Sequence, residues 1–381
     1  MNRKAANRVA SGHPWIFASD VLDRAEAAAG EAVLVVDPKG AALGVAHYSD
    51  SSQICLRMLA QHVQPVERAF YLARIAAAEA HRKRVVIDSN AYRLVHAEAD
   101  LLPGLVIDRY GDYFTLQTLD QGMDRVKGDI VSCLEELFTP AGIVERNDAA
   151  VRKRESLALV SGVLRGTVPD NVTVQMNGLA FLADLVHGQK TGIFLDQREN
   201  YLAAAQFARG RALDCFTSTG GFAMHMAASC DSVEAVDSSE ASLASARRNC
   251  EANGIANVEF READVFELLA AHASARRRFD VVVLDPPAFA KSRSNLEAAV
   301  RGYKEINRRA LELLGSGGVL ITCSCSHHLS EAMLLETIAA ASLDTHRPLR
   351  VLERRTQAQD HPILLTVPET MYLKCVILEV L

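Results

Sequence analysis

The chain has a single tryptophan and no run near the ~18 uninterrupted apolar residues that a membrane-spanning helix needs, so no membrane association is expected. The opening Met1-Asn-Arg-Lys-Ala-Ala is basic, but no apolar stretch follows it, and a secretory leader is not expected either. The 8 cysteines lack the spacing of a disulfide framework, which points to a reduced, cytoplasmic protein. An excess of positive charge is also missing: 41 Lys and Arg stand against 47 Asp and Glu, a formal net charge of −6. That balance excludes a nucleic-acid binder driven by a basic tail, though not a local basic face. There is no fixed-period repeat and no low-complexity tract. What is abundant is apolar surface, 49% of 381 residues, enough for two or three domains with a core each.

The stretch around which the rest is organised is Arg211-Ala-Leu-Asp-Cys-Phe-Thr-Ser-Thr-Gly-Gly-Phe222. It reads as a buried strand entering a glycine turn and then a helix, a junction that lets backbone approach a ligand. Strand ends with polar turns follow at Asp237-Ser238, Asp264, Asp285-Pro-Pro287 and Thr322-Cys-Ser-Cys325. The expected fold is therefore α/β, with a C-terminal Rossmann-like sheet whose carboxyl edge carries the ligand.

Charge identifies the ligand class. A dinucleotide site needs three spaced glycines beneath a pyrophosphate, whereas only Gly220 and Gly221 occur here and Asp214 stands at the strand end. A carboxylate there repels a pyrophosphate. It suits a ligand bearing an ammonium and a sulfonium, which is S-adenosylmethionine. Asp237 lies close to the roughly 20-residue spacing expected of an acid that takes ribose hydroxyls. Asp264 and Asp285 follow in register.

Three domains are expected, over residues 1–73, 74–170 and 171–381. The first is small and mostly β: Ala32–Val36 and Ala41–His47 flank the turn Asp37-Pro-Lys-Gly40, and Gln53–Met58 alternates as a further strand. Arg3, Lys4, Arg8, Trp15 and Phe17 give it a positive, partly aromatic surface compatible with RNA. Trp15 and Phe17 equally suit a plain anchoring role. A helix from about 66 to 84 ends in Arg82-Lys83-Arg84, which reads first as a solvated, dipole-favoured terminus. The second domain reads as α+β without a catalytic constellation, and the third opens with a hairpin at Asn177-Gly178. Gly188–Asn200 suits either a loop capping the next helix or a flap over the donor. Ser238 is expected to cap the helix Glu240–Asn253, and Arg301, Lys304, Arg308 and Arg309 suit a phosphate face as well as a solvated one.

Thr322-Cys-Ser-Cys-Ser-His-His328 leaves three readings open. Zinc binding is strained by the dense spacing, inert packing suits Cys323, and Cys325 suits a nucleophile. Carbon 5 of a pyrimidine cannot attack a sulfonium methyl unaided; a thiolate adding to carbon 6 makes the ring enamine-like. Cysteine fits because it ionises near pH 8.5, is soft and departs readily. Asp285 would hold the ring-nitrogen edge of the base.

Gly12–Phe17, Leu101–Gly111, Gly188–Arg198, Asp285–Lys291 and Cys323–His328 together resemble the RlmI-type ribosomal RNA large-subunit cytosine-5 methyltransferases, over essentially the whole chain. The resemblance implies a PUA domain, a central α+β domain and a class I methyltransferase domain. It implies that Gln197, Arg198, Asp214, Phe216, Thr219, Gly220, Gly221, Asp237, Ser238, Asp264, Val265 and Asp285 hold S-adenosylmethionine, with Cys325 and Asp285 catalytic, no metal, and large-subunit ribosomal RNA as partner. A homodimer is compatible with the sequence. Two departures stand out: Ser218 occupies a position usually held by Tyr, and the second cysteine of better known cytosine-5 enzymes is replaced by Pro and Ala. Competing readings are uracil C5 or guanine N2 as target, an RNA-binding ribosome-assembly factor with a vestigial donor pocket, and, more remotely, a nicotinamide-dependent oxidoreductase.

Overall fold

The computed structural model describes residues 1–188, 192–290 and 293–381. The chain divides into two units, one made of Met1–Gly178, Ala183–Leu195 and Gln359–Thr370, the other of Leu179–Leu182, Asp196–Ala358 and Met371–Leu381.

In the second unit the Val- and Leu-rich runs form a seven-stranded sheet. Its strands are β1 (Arg211–Cys215), β2 (Ser232–Asp237), β3 (Val258–Glu262), β4 (Phe279–Leu284), β5 (Leu314–Ser324), β6 (Leu349–Arg355) and β7 (Lys374–Val380), in the order β3-β2-β1-β4-β5-β7-β6. The first five are parallel, and β7 runs antiparallel to both its neighbours. Parallel strands buried on both faces need apolar residues at successive positions, and Val281 through Leu284 are all sealed from solvent. Cys215 is in register with Val236 and with Leu284, so the residues leaving β1, β2 and β4 emerge at one edge. Because β1 lies between β2 and β4, the chain winds outward in opposite senses from it, which opens a crevice there. The helix Leu296–Leu313 packs Tyr303, Ile306, Ala310 and Leu311 with Leu213, Leu284 and Leu320 in the main core.

The first unit holds two sheets with separate cores. A four-stranded antiparallel sheet of Trp15–Phe17, Ile54–Ala60, Ala42–Tyr48 and Ala32–Val36 buries Ile16, Val35, Ala46 and Met58 against Ala5 and Val9 of the helix Arg3–Ala10. A five-stranded sheet spans Ala91–His96, Leu105–Tyr110, Tyr113–Thr118, Gly142–Asn147 and Val160–Gly166. Leu94, Ile107, Phe114 and Leu116 from it pack on Ile75, Ile130 and Leu134 of the helices Arg68–Val85 and Lys127–Phe138. The edge strand Val160–Gly166 has no signature in the sequence, because Val160 and Val163 are exposed and no apolar face marks it.

One expectation is corrected here, and one open choice is narrowed. Arg82 does not belong to a solvated terminus: it is fully buried, ion-paired with Asp100, and donates to the carbonyls of Arg93 (2.8 Å) and Asp360 (2.8 Å). The cations of the helix Leu296–Leu313 are largely neutralised. Lys304 pairs with Asp344 at 2.8 Å, and Arg308 and Arg309 share Glu305 at 2.9 and 2.6 Å. That favours a solvated, self-paired face over a phosphate face.

Candidate functional site

At the exit of β1 three successive alternate residues take the left-handed conformation: Phe216 at φ 64°, Ser218 at φ 49° and Gly220 at φ 86°. For the two that are not glycine this costs about 1–2 kcal/mol each, and strain of this kind collects at functional sites. Two backbone bonds impose it, from Thr217 N to the Val236 carbonyl (2.9 Å) and from Gly220 N to the Thr217 carbonyl (2.8 Å). Asn249 holds the turn from outside by donating to the Thr219 carbonyl at 2.9 Å. Gly221 is glycine for a reason the sequence did not disclose. A Cβ there would lie 2.3 Å from Cζ of Tyr201, so the missing side chain makes room for a ring rather than for a ligand.

Asp214 is completely buried. Its Oδ2 accepts from the Thr217 hydroxyl at 2.6 Å and from Ala223 N at 3.0 Å, while Oδ1 has no partner among the described residues. Burial raises the carboxyl pKa to about 7, and the charges of Asp285 and Asp237 push in the same direction. Asp237 is held by Ser218 N on Oδ2 and Ser239 N on Oδ1, both at 3.0 Å. No Lys or Arg among the described residues ion-pairs with Asp214 or Asp237. A buried, uncompensated acid beside two more acids is suited to a cation. The residues therefore fit the ammonium and sulfonium of S-adenosylmethionine.

The remaining expected donor residues fall around this turn. Asp264 caps the helix Val265–Ser274 by accepting from Glu267 N at 3.1 Å, and Val265 is buried. Ser238 is exposed and is not the cap of the helix Glu240–Ala252; Ser239 is, accepting from Ser242 N. Gln197 and Arg198 are both buried at the start of the helix Arg198–Phe207, and Gln197 accepts from Asn200 at 2.7 Å. Gln189, Lys190 and Thr191 of the expected flap, and Lys291 and Ser292 beyond Asp285, lie outside the described residues.

The far wall is built on Asp285 and Cys325. Asp285 is half-buried, and its amide faces the Cys215 carbonyl at 3.4 Å, so it sits at the mouth between β1 and β4. Two prolines fix the chain after it. At the end of that loop Ala290 N donates to the Ser326 hydroxyl at 3.2 Å, and the Tyr303 hydroxyl bonds Ser324 (2.9 Å) and Ser326 (3.2 Å). The loop after Asp285 and the loop carrying Cys325 are thus tied through Ser326. Cys323 lies inside β5, directly opposite Cys375, fully buried, with its thiol pushed well up by that neighbour and by burial. β5 ends at Ser324, so strand alternation no longer dictates where Cys325 points. Among the described residues no three His, Cys, Asp or Glu side chains converge as a metal site.

One residue of this wall escaped the sequence reading. Lys374, the first residue of β7, is buried and donates from Nζ to the carbonyls of Ser326 (2.7 Å) and Tyr372 (2.8 Å). A lysine opening a strand ordinarily reads as a solubilising end. Only the antiparallel return of β7 beside β5 puts it under the cysteine loop.

Residues 146–366 match the family of S-adenosylmethionine-dependent methyltransferases, and residues 1–61 match a PUA-like domain. The chain is 40% identical over 373 residues to a Klebsiella pneumoniae protein named ribosomal RNA large subunit methyltransferase I, covering 95% of this chain and 93% of the relative. A Photobacterium profundum protein of the same name is 41% identical over 373 residues, covering 95% and 94%. Among solved structures, a candidate methyltransferase complexed with SAH superposes with a TM-score of 0.85 at 20% identity, over 99% of this chain and 98% of that one, which establishes the fold.

Proposed function

We propose a specific reaction for this chain, which belongs to the ribosomal RNA large subunit methyltransferase I family of S-adenosylmethionine-dependent methyltransferases. It transfers a methyl group to carbon 5 of a cytosine in large-subunit ribosomal RNA. The observation that carries the choice of carbon 5 is the state of the cysteines: seven are buried and Cys325 alone is partly open, on a loop tied through Ser326 to the loop that follows Asp285. Methylation of an exocyclic amine needs no thiol, whereas carbon 5 chemistry needs one that can reach a base.

S-adenosylmethionine, when bound, supplies an electrophilic methyl on a positively charged sulfur. The chain's own residues do the rest. The Cys325 thiolate adds to carbon 6, and the ring's C5–C6 electron pair takes the methyl as the sulfonium carbon–sulfur bond breaks. A base then removes the carbon 5 proton, and the returning electron pair expels the thiolate. Asp285 holds the ring-nitrogen edge of the cytosine and offsets the charge that develops in the adduct. Residues 1–73, with Arg3 and Lys4 exposed on the first helix, act as the RNA-binding domain. Trp15 donates its indole N–H to Glu98 at 2.8 Å, which fixes the ring in place.

The test is an RNA carrying 5-fluorocytosine, in which the proton at carbon 5 is replaced and the adduct cannot resolve. A covalent complex that forms with the unaltered chain and disappears in Cys325→Ala, together with loss of transfer, supports the reading. Full transfer by Cys325→Ala overturns it and favours guanine N2; no measurable heat on titrating S-adenosylmethionine leaves only an RNA-binding assembly factor.

A further inference from the structure

Lys374 has the environment of a functional group without having been given a function. Lysine is almost never fully buried unless it is paired, yet among the described residues no carboxylate pairs with this one. Two of its three N–H groups are spent on the carbonyls of Ser326 and Tyr372, which leaves the third without a protein acceptor among the described residues. Ser326 is the residue after Cys325, and Tyr372 lies two residues before Lys374. Within β7, Lys374 stands directly opposite Ser324, the residue before Cys325. The ammonium is therefore tied to the residue after the cysteine, and its backbone is paired with the residue before it. Burial draws its pKa down to about 8, and the charge of Cys325 acts against this.

We propose that Lys374 is the positioning residue of the Cys325 thiolate, holding its loop through the Ser326 carbonyl and supplying the fixed positive charge beside which the thiol ionises. The inference deepens the assignment of Cys325 as the nucleophile and rests on it. The thiol proton leaves to solvent, the ammonium keeps its three protons, and the ion pair forms without a net change of charge on the lysine. A fixed cation is what a reactive cysteine needs when it stands at no helix N-terminus, since neighbouring Lys, Arg or His⁺ lowers a thiol pKa. The other ionisable groups around the loop do not supply that charge. His327, on the same loop and stacked on Tyr372 at 5.6 Å, is driven toward its neutral form by burial, with Lys374 and His328 adding to the effect. Tyr303, from the helix Leu296–Leu313, stays protonated because burial raises its pKa. Asp285, from the loop after β4, and Asp196, which accepts from the Tyr372 hydroxyl at 2.7 Å, are acids and supply no positive charge. Among the described residues, Lys374 is a buried cation placed to offset them.

The experiment follows the rate at which iodoacetamide alkylates Cys325 as a function of pH, read by mass spectrometry of the peptide containing it, in the full chain. For the wild type a midpoint at least one unit below the roughly 8.5 of a free thiol is expected; a midpoint at or above that value overturns the proposal and needs no variant that might fail to fold. Lys374→Met, with its melting temperature and S-adenosylmethionine titration checked, should raise the midpoint by about one unit and slow alkylation at pH 7 roughly tenfold. Lys374→Arg should stay near the wild type. A Lys374→Met protein that loses methyl transfer while its midpoint stays put shows a lysine acting only as a brace, and the proposal falls. Failure of the underlying assignment looks different: Cys325→Ala keeps methyl transfer, whatever the alkylation profiles show.

Discussion

The hydroxyl of Thr217 donates to Oδ2 of Asp214 at 2.6 Å, and together with Ala223 N it satisfies one carboxylate oxygen while the other, buried, meets no partner among the described residues. The unliganded carboxyl therefore titrates near 7 instead of near 4. A bound ammonium would favour its charged form and displace that proton. Binding of S-adenosylmethionine is expected to tighten as pH rises through about 7 and to release close to one proton around pH 6 to 7, measured by calorimetry in buffers of different ionisation enthalpy. Equal observed heats at pH 6 in buffers of different ionisation enthalpy would count against the ammonium at Asp214.

The same group sets a stability trend. Its folded pKa lies above its unfolded value near 3.8, so between roughly pH 4 and 7 the folded state holds a proton that the unfolded state has lost. Stability falls as pH rises across that window and is level above it. Asp214→Asn removes the titration while keeping an oxygen for Thr217 and Ala223. The variant should melt higher than the wild type at pH 8 in the absence of ligand, by on the order of 1–3 kcal/mol in stability, and bind S-adenosylmethionine at least tenfold more weakly. Thermal scans with and without ligand check both.

Adjacent glycines should behave differently. At Gly220 the penalty of Ala is mainly conformational, about 1 kcal/mol, with a tight 3.2 Å approach to Ala246 Cβ that requires a shift of a few tenths of an ångström. At Gly221 the new methyl would press on Tyr201, whose ring also packs edge-on against Phe222 at 4.7 Å. We expect Gly221→Ala to cost about 2–3 kcal/mol in urea unfolding and to lower donor affinity by moving the turn. Equal effects from the two substitutions would mean that Tyr201 yields freely.

Arg57 links two buried acids in the first unit, Glu155 at 2.7 Å and Asp120 at 3.7 Å. Ser49 also donates to Glu155 at 2.7 Å, so the cluster joins the small β sheet to a short helical segment, Ala150–Glu155, between two strands of the five-stranded one. Removing the cation strands two carboxylates in the interior. Arg57→Met should destabilise the unit by about 3–5 kcal/mol, seen as an early transition in denaturant. A loss below about 1 kcal/mol would show that the cluster repacks or takes up water.

RNA affinity should distinguish the exposed cations from the paired ones. Arg3→Ala with Lys4→Ala is expected to weaken RNA binding and flatten its salt dependence, by roughly 0.7–0.9 in log–log slope for each phosphate no longer neutralised. Arg308→Ala and Arg309→Ala, whose charges are already shared with Glu305, should leave the slope unchanged. Filter binding across a salt series gives both numbers.

Much of the donor site could be read from the chain because its chemistry is local. A strand that ends in Asp214 and a glycine turn, with Asp237 one βα unit later, carries ligand charge and spacing within a single stretch, and a parallel sheet places every such strand end on one edge. The helix faces were legible for the same reason: Leu243, Ala246 and Cys250 are buried as their spacing implies. What the sequence could not announce was any fact that depends on two distant segments meeting. The burial of Arg82 arises from Asp100 and Asp360, the need for glycine at 221 arises from Tyr201, and the cation under Cys325 arrives from β7 only because the last strand turns back antiparallel beside β5. Local spacing specifies which groups share a strand end or a helix face. Desolvation and charge, which decide what those groups can do, belong to whatever the rest of the chain packs against them.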